Sequence, residues 1–173
     1  TKQFEPNAAD GYINPCYFWE ISYTYYGWAL MPKDVFQPGV DVNAADTPLD
    51  TAFMQGVGEM FSQAATQTTQ DRFEKDISIG GKTIYRLREG IERFFITDIN
   101  NPAATSLAQS TIPVQWDTVW TTTKWDQSYF SHVPGGGNVL YMDGHVQFVR
   151  YSTEWPICRG YVNMMEILQV FGK

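Results

Sequence analysis

Several things are scarce in this 173-residue chain, and each scarcity excludes something. Histidine and cysteine occur twice each. His132, His145, Cys16 and Cys158 stand in no spacing that assembles a tetrahedral zinc site. Positive charge is in the minority, with 12 Lys and Arg against 19 Asp and Glu, a formal charge of -7 and a pI near 4.7. Such a field repels phosphate backbones and anionic bilayers, which argues against nucleic acid and lipid surfaces as partners. Hydrophobic runs are short, and none reaches the roughly eighteen residues read as a membrane span. A Gly-x-Ser-x-Gly nucleophile elbow is missing. So is a phosphate-binding loop, because Gly135-Gly136-Gly137 leads into a strand and no Lys-Ser/Thr follows.

Aromatic residues, by contrast, are plentiful: Trp 6, Tyr 10 and Phe 11. The length supports a single domain over residues 1–173 with a substantial core. Residues 1–15, with Pro6, Gly11 and Pro15, read as an irregular arm. Tyr17 to Leu30 is dense in aromatic and β-branched residues and predicts a strand ending near Gly27 or at Met31-Pro32. Thr47-Pro48-Leu49-Asp50 predicts a helix start, with Thr47 as the hydroxyl cap and Asp50 near the positive end of the dipole. Leu49, Phe53, Val57, Met60 and Phe61 then share one helical face. Gly56 and Gly58 each cost about 1 kcal/mol against Ala, and suit a place where something packs close. Gly80-Gly81 marks a turn before a short strand within 82–87. Residues 90–99 fit a helix or an extended segment, stopped by Asn100-Asn101-Pro102. Residues 103–137 read as a long aromatic and Gly-rich ordered loop pinned by Trp116, Trp120 and Trp125. Val162 to Phe171 predicts a last helix with Val162, Met165 and Leu168 on one face.

The clearest local pattern is Asn138 to Met142, Asp143-Gly144, then His145 to Tyr151. It predicts a β-hairpin over 138–151 with a two-residue type I′ turn, where Asp-Gly is favoured because both central residues need positive φ. That register puts Tyr141 opposite Val146 and Val139 opposite Phe148, with all four side chains on the core face.

The segment His132-Val133-Pro134-Gly135-Gly136-Gly137-Asn138-Val139-Leu140-Tyr141-Met142-Asp143-Gly144-His145-Val146 resembles the C-terminal signature of the H-X9-DG prepilin-like proteins (the DUF1559-type pseudopilin-like family). Ser22-Tyr23 with Tyr26-Gly27-Trp28, and Arg88 to Phe94 with Asn101-Pro102, also look like that family. Ten residues separate His132 from Asp143, one more than the family name counts, and Gly135-Gly136-Gly137 is where an extra glycine is absorbed. The family's prepilin-type cleavage site and apolar N-terminal helix are not found from Thr1 onward, and they are expected to precede it in the full gene product.

The resemblance implies an α+β, pilin-like domain: an antiparallel β-sheet with helices, capping a long N-terminal helix. It implies a non-enzymatic subunit of an extracellular filament or type II secretion-like system. The domain would lie in the periplasm or at the cell surface, with the inner membrane reached only through that helix. Expected partners are other pilin-like subunits or secretion-system components. Cys16 and Cys158 read either as two unrelated buried thiols or as one long-range disulfide. Closing so long a loop would contribute about 4–5 kcal/mol, and the implied exported compartment favours the bond.

His132, Gly136, Gly137, Asn138, Asp143 and Gly144 are the motif residues, and their role is read as structural. The His132 imidazole ties the Gly-rich loop to the Asp-Gly turn or nearby backbone, and Asp143 serves the turn. A triad from Ser131, His132 and Asp143 would need an exposed nucleophile that adjacent residues do not provide, so no catalytic residue is assigned. Asp117, Asp126 and Ser128 offer hard oxygens in the Trp-rich loop and are candidate calcium ligands by fold-level analogy with pseudopilins. Trp116, Trp120 and Trp125 supply rigid aromatic area for contact with a subunit. They also support an alternative function, a secreted adhesive module that recognises a glycan or protein.

Overall fold

In a computed structural model the strand-forming tracts gather into one four-stranded antiparallel sheet, ordered β1-β4-β7-β8. The structure describes residues 23–63, 74–79, 81–96, 108–122, 127–130, 132 and 135–171. Within it, β1 is Tyr23–Thr24, β4 is Pro113–Asp117, β7 is Gly136–Tyr141 and β8 is Val146–Arg150. Two hairpins stand beside the sheet: β2 (Ile77–Ile79) with β3 (Lys82–Ile84), and β5 (Val119–Thr122) with β6 (Gln127–Phe130). The helices among the described residues include a short α1 (Pro32–Val35), α2 (Thr51–Gln63) and α3 (Arg159–Phe171), with one further helical turn at 108–111. The fold class is α+β.

The tract read as a loop over 103–137 is instead where three strands form, and β4 is an inner strand of the sheet. Its Ser, Thr and Gln content suggested irregular chain. Val114, Val119 and the threonines and tryptophans around them are strand formers, however, and they outweigh the polar residues. Residues 90–99 yield a 3₁₀ turn at Ile91–Phe94. Of the strand predicted over Tyr17 to Leu30, Tyr23–Thr24 is observed and 17–22 lie outside the described residues.

α2 begins at Thr51, and its cap lies three residues later than predicted. Asp50 caps it, its Oδ1 accepting the Phe53 N–H at 3.0 Å. Thr47 is buried at 3% exposure and accepts the Asn163 side-chain amide at 2.8 Å, so it fastens the approach to α2 onto α3. Phe53 and Val57 turn inward as their spacing requires.

The core lies between the inner sheet face and the helices. Trp116, Val139, Tyr141 and Val149 from the sheet pack with Phe53 and Val57 of α2, Tyr161, Val162 and Met164 of α3, and Ile157 and Cys158 before it. Aromatic rings run through it edge to face: Tyr26 to Trp116 (5.6 Å), Trp116 to Tyr161 (5.7 Å), Tyr161 to Trp155 (5.7 Å) and Trp155 to Phe36 (5.8 Å). Such pairs are worth about 0.5–1.5 kcal/mol each beyond the area they bury.

The hairpin of the signature forms, with a different register from the one expected. Tyr141 N–H donates to His145 O at 3.0 Å, and Gly144 N–H donates to Tyr141 O at 2.9 Å. Three residues, Met142, Asp143 and Gly144, therefore make the turn, and Gly144 takes the left-handed conformation at φ 89°. Leu140 now faces Val146, and Val139 faces Gln147. A slip of one residue moves a strand's side chains to the opposite face. Val139 and Tyr141 remain in the core, joined by Val149, while Val146 and Phe148 are 61% and 43% exposed on the outer face.

Candidate functional site

The last residue of β4 and the first half of β7 lie side by side, and the signature residues converge where they meet. Asp117 is buried, its side chain 3% exposed. Its Oδ2 accepts the Asn138 backbone N–H at 2.7 Å and the Asn138 side-chain amide at 3.0 Å. The same oxygen lies 2.8 Å from His132 Nε2. A ring nitrogen can bond a carboxylate only as a donor, so Nε2 carries a proton here. The 3.0 Å approach of the Asn138 amide to that nitrogen is then packing between two donors held by one acceptor.

The backbone completes the clamp. His132 bridges to Gly136, and Gly135 N–H donates to His132 O at 3.1 Å. The edge of the His132 ring meets Phe148 at 6.2 Å. Glycines are required because the elements touch: a Cβ on Gly136 would lie 2.4 Å from Val149 O, and one on Gly137 3.0 Å from Asp117 Cβ. Gly136 and Gly137 are thus strand residues that let β7 approach its neighbours.

The His132 ring bonds Asp117 at the end of β4, where the sequence suggested the Asp-Gly turn or nearby backbone. Its expected partner, the Asp-Gly turn, is engaged elsewhere. Asp143 Oδ1 accepts the His145 N–H at 3.1 Å and faces His145 Nδ1 at 2.5 Å. These two bonds, the backbone one first, hold the Asp143 carboxyl below its ordinary range. The His145 ring stacks on Tyr141, with centroids 4.5 Å apart. Each histidine thus has its own carboxylate, one pair buried on the acid side and the other at the turn. The triad from Ser131, His132 and Asp143 does not assemble, since His132 and Asp143 bond to different groups; Ser131 lies outside the described residues.

The candidate calcium ligands are not brought together by what is described. Asp117 gives one oxygen to three donors, Ser128 stands in β6 opposite Thr121, and Asp126 lies outside the described residues. Among the described residues no cluster of three His, Cys, Asp or Glu side chains forms a metal-binding group. Trp116 is 3% exposed and belongs to the core, so it is withdrawn from the contact surface. Trp120 stands in β5, paired with Tyr129, and Trp125 lies outside the described residues. Cys158 is a fully buried thiol with its pKa pushed up to about 11 by burial, and among the described residues it has no bonded partner. Cys16 lies outside the described residues.

Comparison with protein-family models, with curated proteins and with solved structures gives no match.

Asp117 as the partner of His132 escaped the sequence reading. The pattern that marks it is the alternation Val114, Trp116 against Gln115, Asp117, which identifies a strand ending at a carboxylate.

Proposed function

We propose that this chain is the globular domain of a pilin-like, non-enzymatic subunit that packs in an extracellular filament or a type II secretion-like assembly. The observation that carries this reading is the use of the signature residues. His132, Asn138, Gly136 and Gly137 fasten a loop to a sheet around the buried Asp117, and Asp143 and Gly144 shape a hairpin turn. An imidazole and a carboxylate spent on fastening suit a structural subunit. The α+β architecture, an antiparallel sheet backed by helices, is compatible with a pilin-like head.

In this reading the domain lies in the periplasm or at the cell surface. The partners are further pilin-like subunits or secretion-system components, and the inner membrane is engaged through the prepilin helix that the resemblance implies. The test is the coding sequence upstream of Thr1, together with N-terminal sequencing of the native protein. A cleaved prepilin-type peptide followed by about twenty apolar residues supports the reading. An ordinary signal peptide ending beside Thr1 overturns it in favour of a secreted binding module. That alternative has lost Trp116 from its aromatic surface to the core.

A further inference from the structure

β8 lies at an edge of the four-stranded sheet, and among the described residues it pairs with β7 alone. The direction of its backbone groups follows from two hydrogen bonds. Tyr141 N–H donates to His145 O at 3.0 Å, and Tyr151 N–H donates to Gly135 O at 3.3 Å. Hydrogen-bonded and non-hydrogen-bonded pairs alternate along an antiparallel ladder. Gln147 and Val149 therefore turn their N–H and C=O groups toward β7, and Val146, Phe148 and Arg150 turn theirs away from the sheet.

Those same three residues carry the outward side chains, with Val146 61% and Phe148 43% exposed. Native proteins blunt such an edge with charged side chains, Lys above all, with Pro, a bulge or an inward charge. The strand Val-Gln-Phe-Val-Arg has no Pro and no Lys, and its register with β7 is regular throughout. Its one charge, Arg150, stands at the end of the strand, so the edge over Val146–Val149 is open to a partner strand.

Its sequence suits a second copy of itself, and an axis at the central residue pairs the strand over its whole length. We propose that two copies of this chain associate edge to edge through β8, antiparallel about a two-fold axis at Phe148. In that register Phe148 lies against the partner's Phe148, Val146 against the partner's Arg150, and Gln147 against the partner's Val149. Outward groups meet outward groups, so each of the three outward pairs exchanges two backbone hydrogen bonds. The central pair is aromatic, and no like charges face each other. An axis at Arg150 would oppose two guanidinium groups. An axis between adjacent residues would set outward groups against inward ones. The contact is isologous and closes as a dimer. It does not depend on the filament reading, because an anchored subunit and a free secreted module would present the same edge.

The test is the mass of the protein by sedimentation through a dilution series, with Val146→Lys as the main variant. Val146 is exposed, so its replacement spares the fold, which circular dichroism checks; Phe148→Lys is the second variant. A concentration-dependent dimer is expected. Its dissociation constant should rise about tenfold for each of the two changed strands, about a hundredfold in all. Register is read by cross-linking. Val146→Cys and Arg150→Cys proteins, mixed, should form a disulfide between facing positions about 5.5 Å apart at Cα. Neither alone should, since like positions lie about 14 Å apart along the strand. A protein that stays monomeric throughout overturns the proposal. So does a dimer indifferent to both lysine variants, or one in which Val146→Cys cross-links to itself.

Discussion

An ionised carboxylate taken out of water must be surrounded by donors, and Asp117 has three converging on one oxygen. Removing it would leave the Asn138 N–H and amide without their acceptor, whereas removing His132 would expose one side of a carboxylate still held by Asn138. Asp117→Ala is therefore expected to cost about 2–3 kcal/mol and His132→Ala about 1 kcal/mol, read from urea unfolding midpoints. Equal costs would mean that the imidazole, rather than the strand-to-strand link, carries the clamp. Asp143 differs because it is exposed and its carboxyl is held below the ordinary value of 3.8 by the His145 backbone and side chain. A carboxyl depressed on folding contributes stability above its unfolded value and loses it as pH falls through the folded one. The gap in unfolding midpoint between the native protein and Asp143→Asn should accordingly be constant at neutral pH and close progressively below about pH 3.8. A gap that persists into strong acid would show that Asp143 acts through turn geometry and not through charge.

α2 shows how one helix can carry two glycines for different reasons. A Cβ on Gly56 would lie 2.5 Å from Ile79 Cγ2 of β2, while one on Gly58 would meet nothing within 4 Å. Gly56→Ala should then destabilise by about 2 kcal/mol through overpacking, and Gly58→Ala should stabilise by about 0.5–1 kcal/mol through helix propensity. Opposite shifts in melting temperature are the readout, and shifts of the same sign would refute the close approach of α2 to β2. That something packs near these glycines was legible in the sequence; which of the two it touches was not, because the partner comes from a hairpin twenty residues on. α2 and α3 were legible for the usual reason, apolar residues recurring on one face, and both positions of the signature hairpin were found. The hairpin register was not, since Asp-Gly serves a two-residue turn and also the end of a three-residue one. Only the burial of Val149 in place of Phe148 decides between them. The strands within 103–137 were missed because a polar, Thr-rich tract carries the same composition in a loop and in a strand with one wet face.

For the molecule as a whole, Cys158 reports on cooperativity. It is fully buried among Ile157, Tyr161 and the inner sheet face, and burial pushes its thiol to about 11. Thiolate is the reactive form, so accessibility and ionisation both protect it. Tyr161, on the same turn of chain, joins Trp116 of the sheet to Trp155, so exposing the sulfur is expected to require parting sheet from helix. With reduced protein, mass-resolved alkylation is expected to leave Cys158 unmodified under native conditions and to label it at the rate of global unfolding as urea is raised. Labelling at a rate independent of urea would instead show a local opening of the segment before α3. The same experiment decides the pairing that the family resemblance favours. Cys158 that labels in unfolded protein without reductant is not bonded to Cys16. Cys158 that labels only after reduction, in a chain that is monomeric and of unmodified mass beforehand, has Cys16 as its partner, which would place the chain in an oxidising compartment and fasten the residues before β1 to the end of the core.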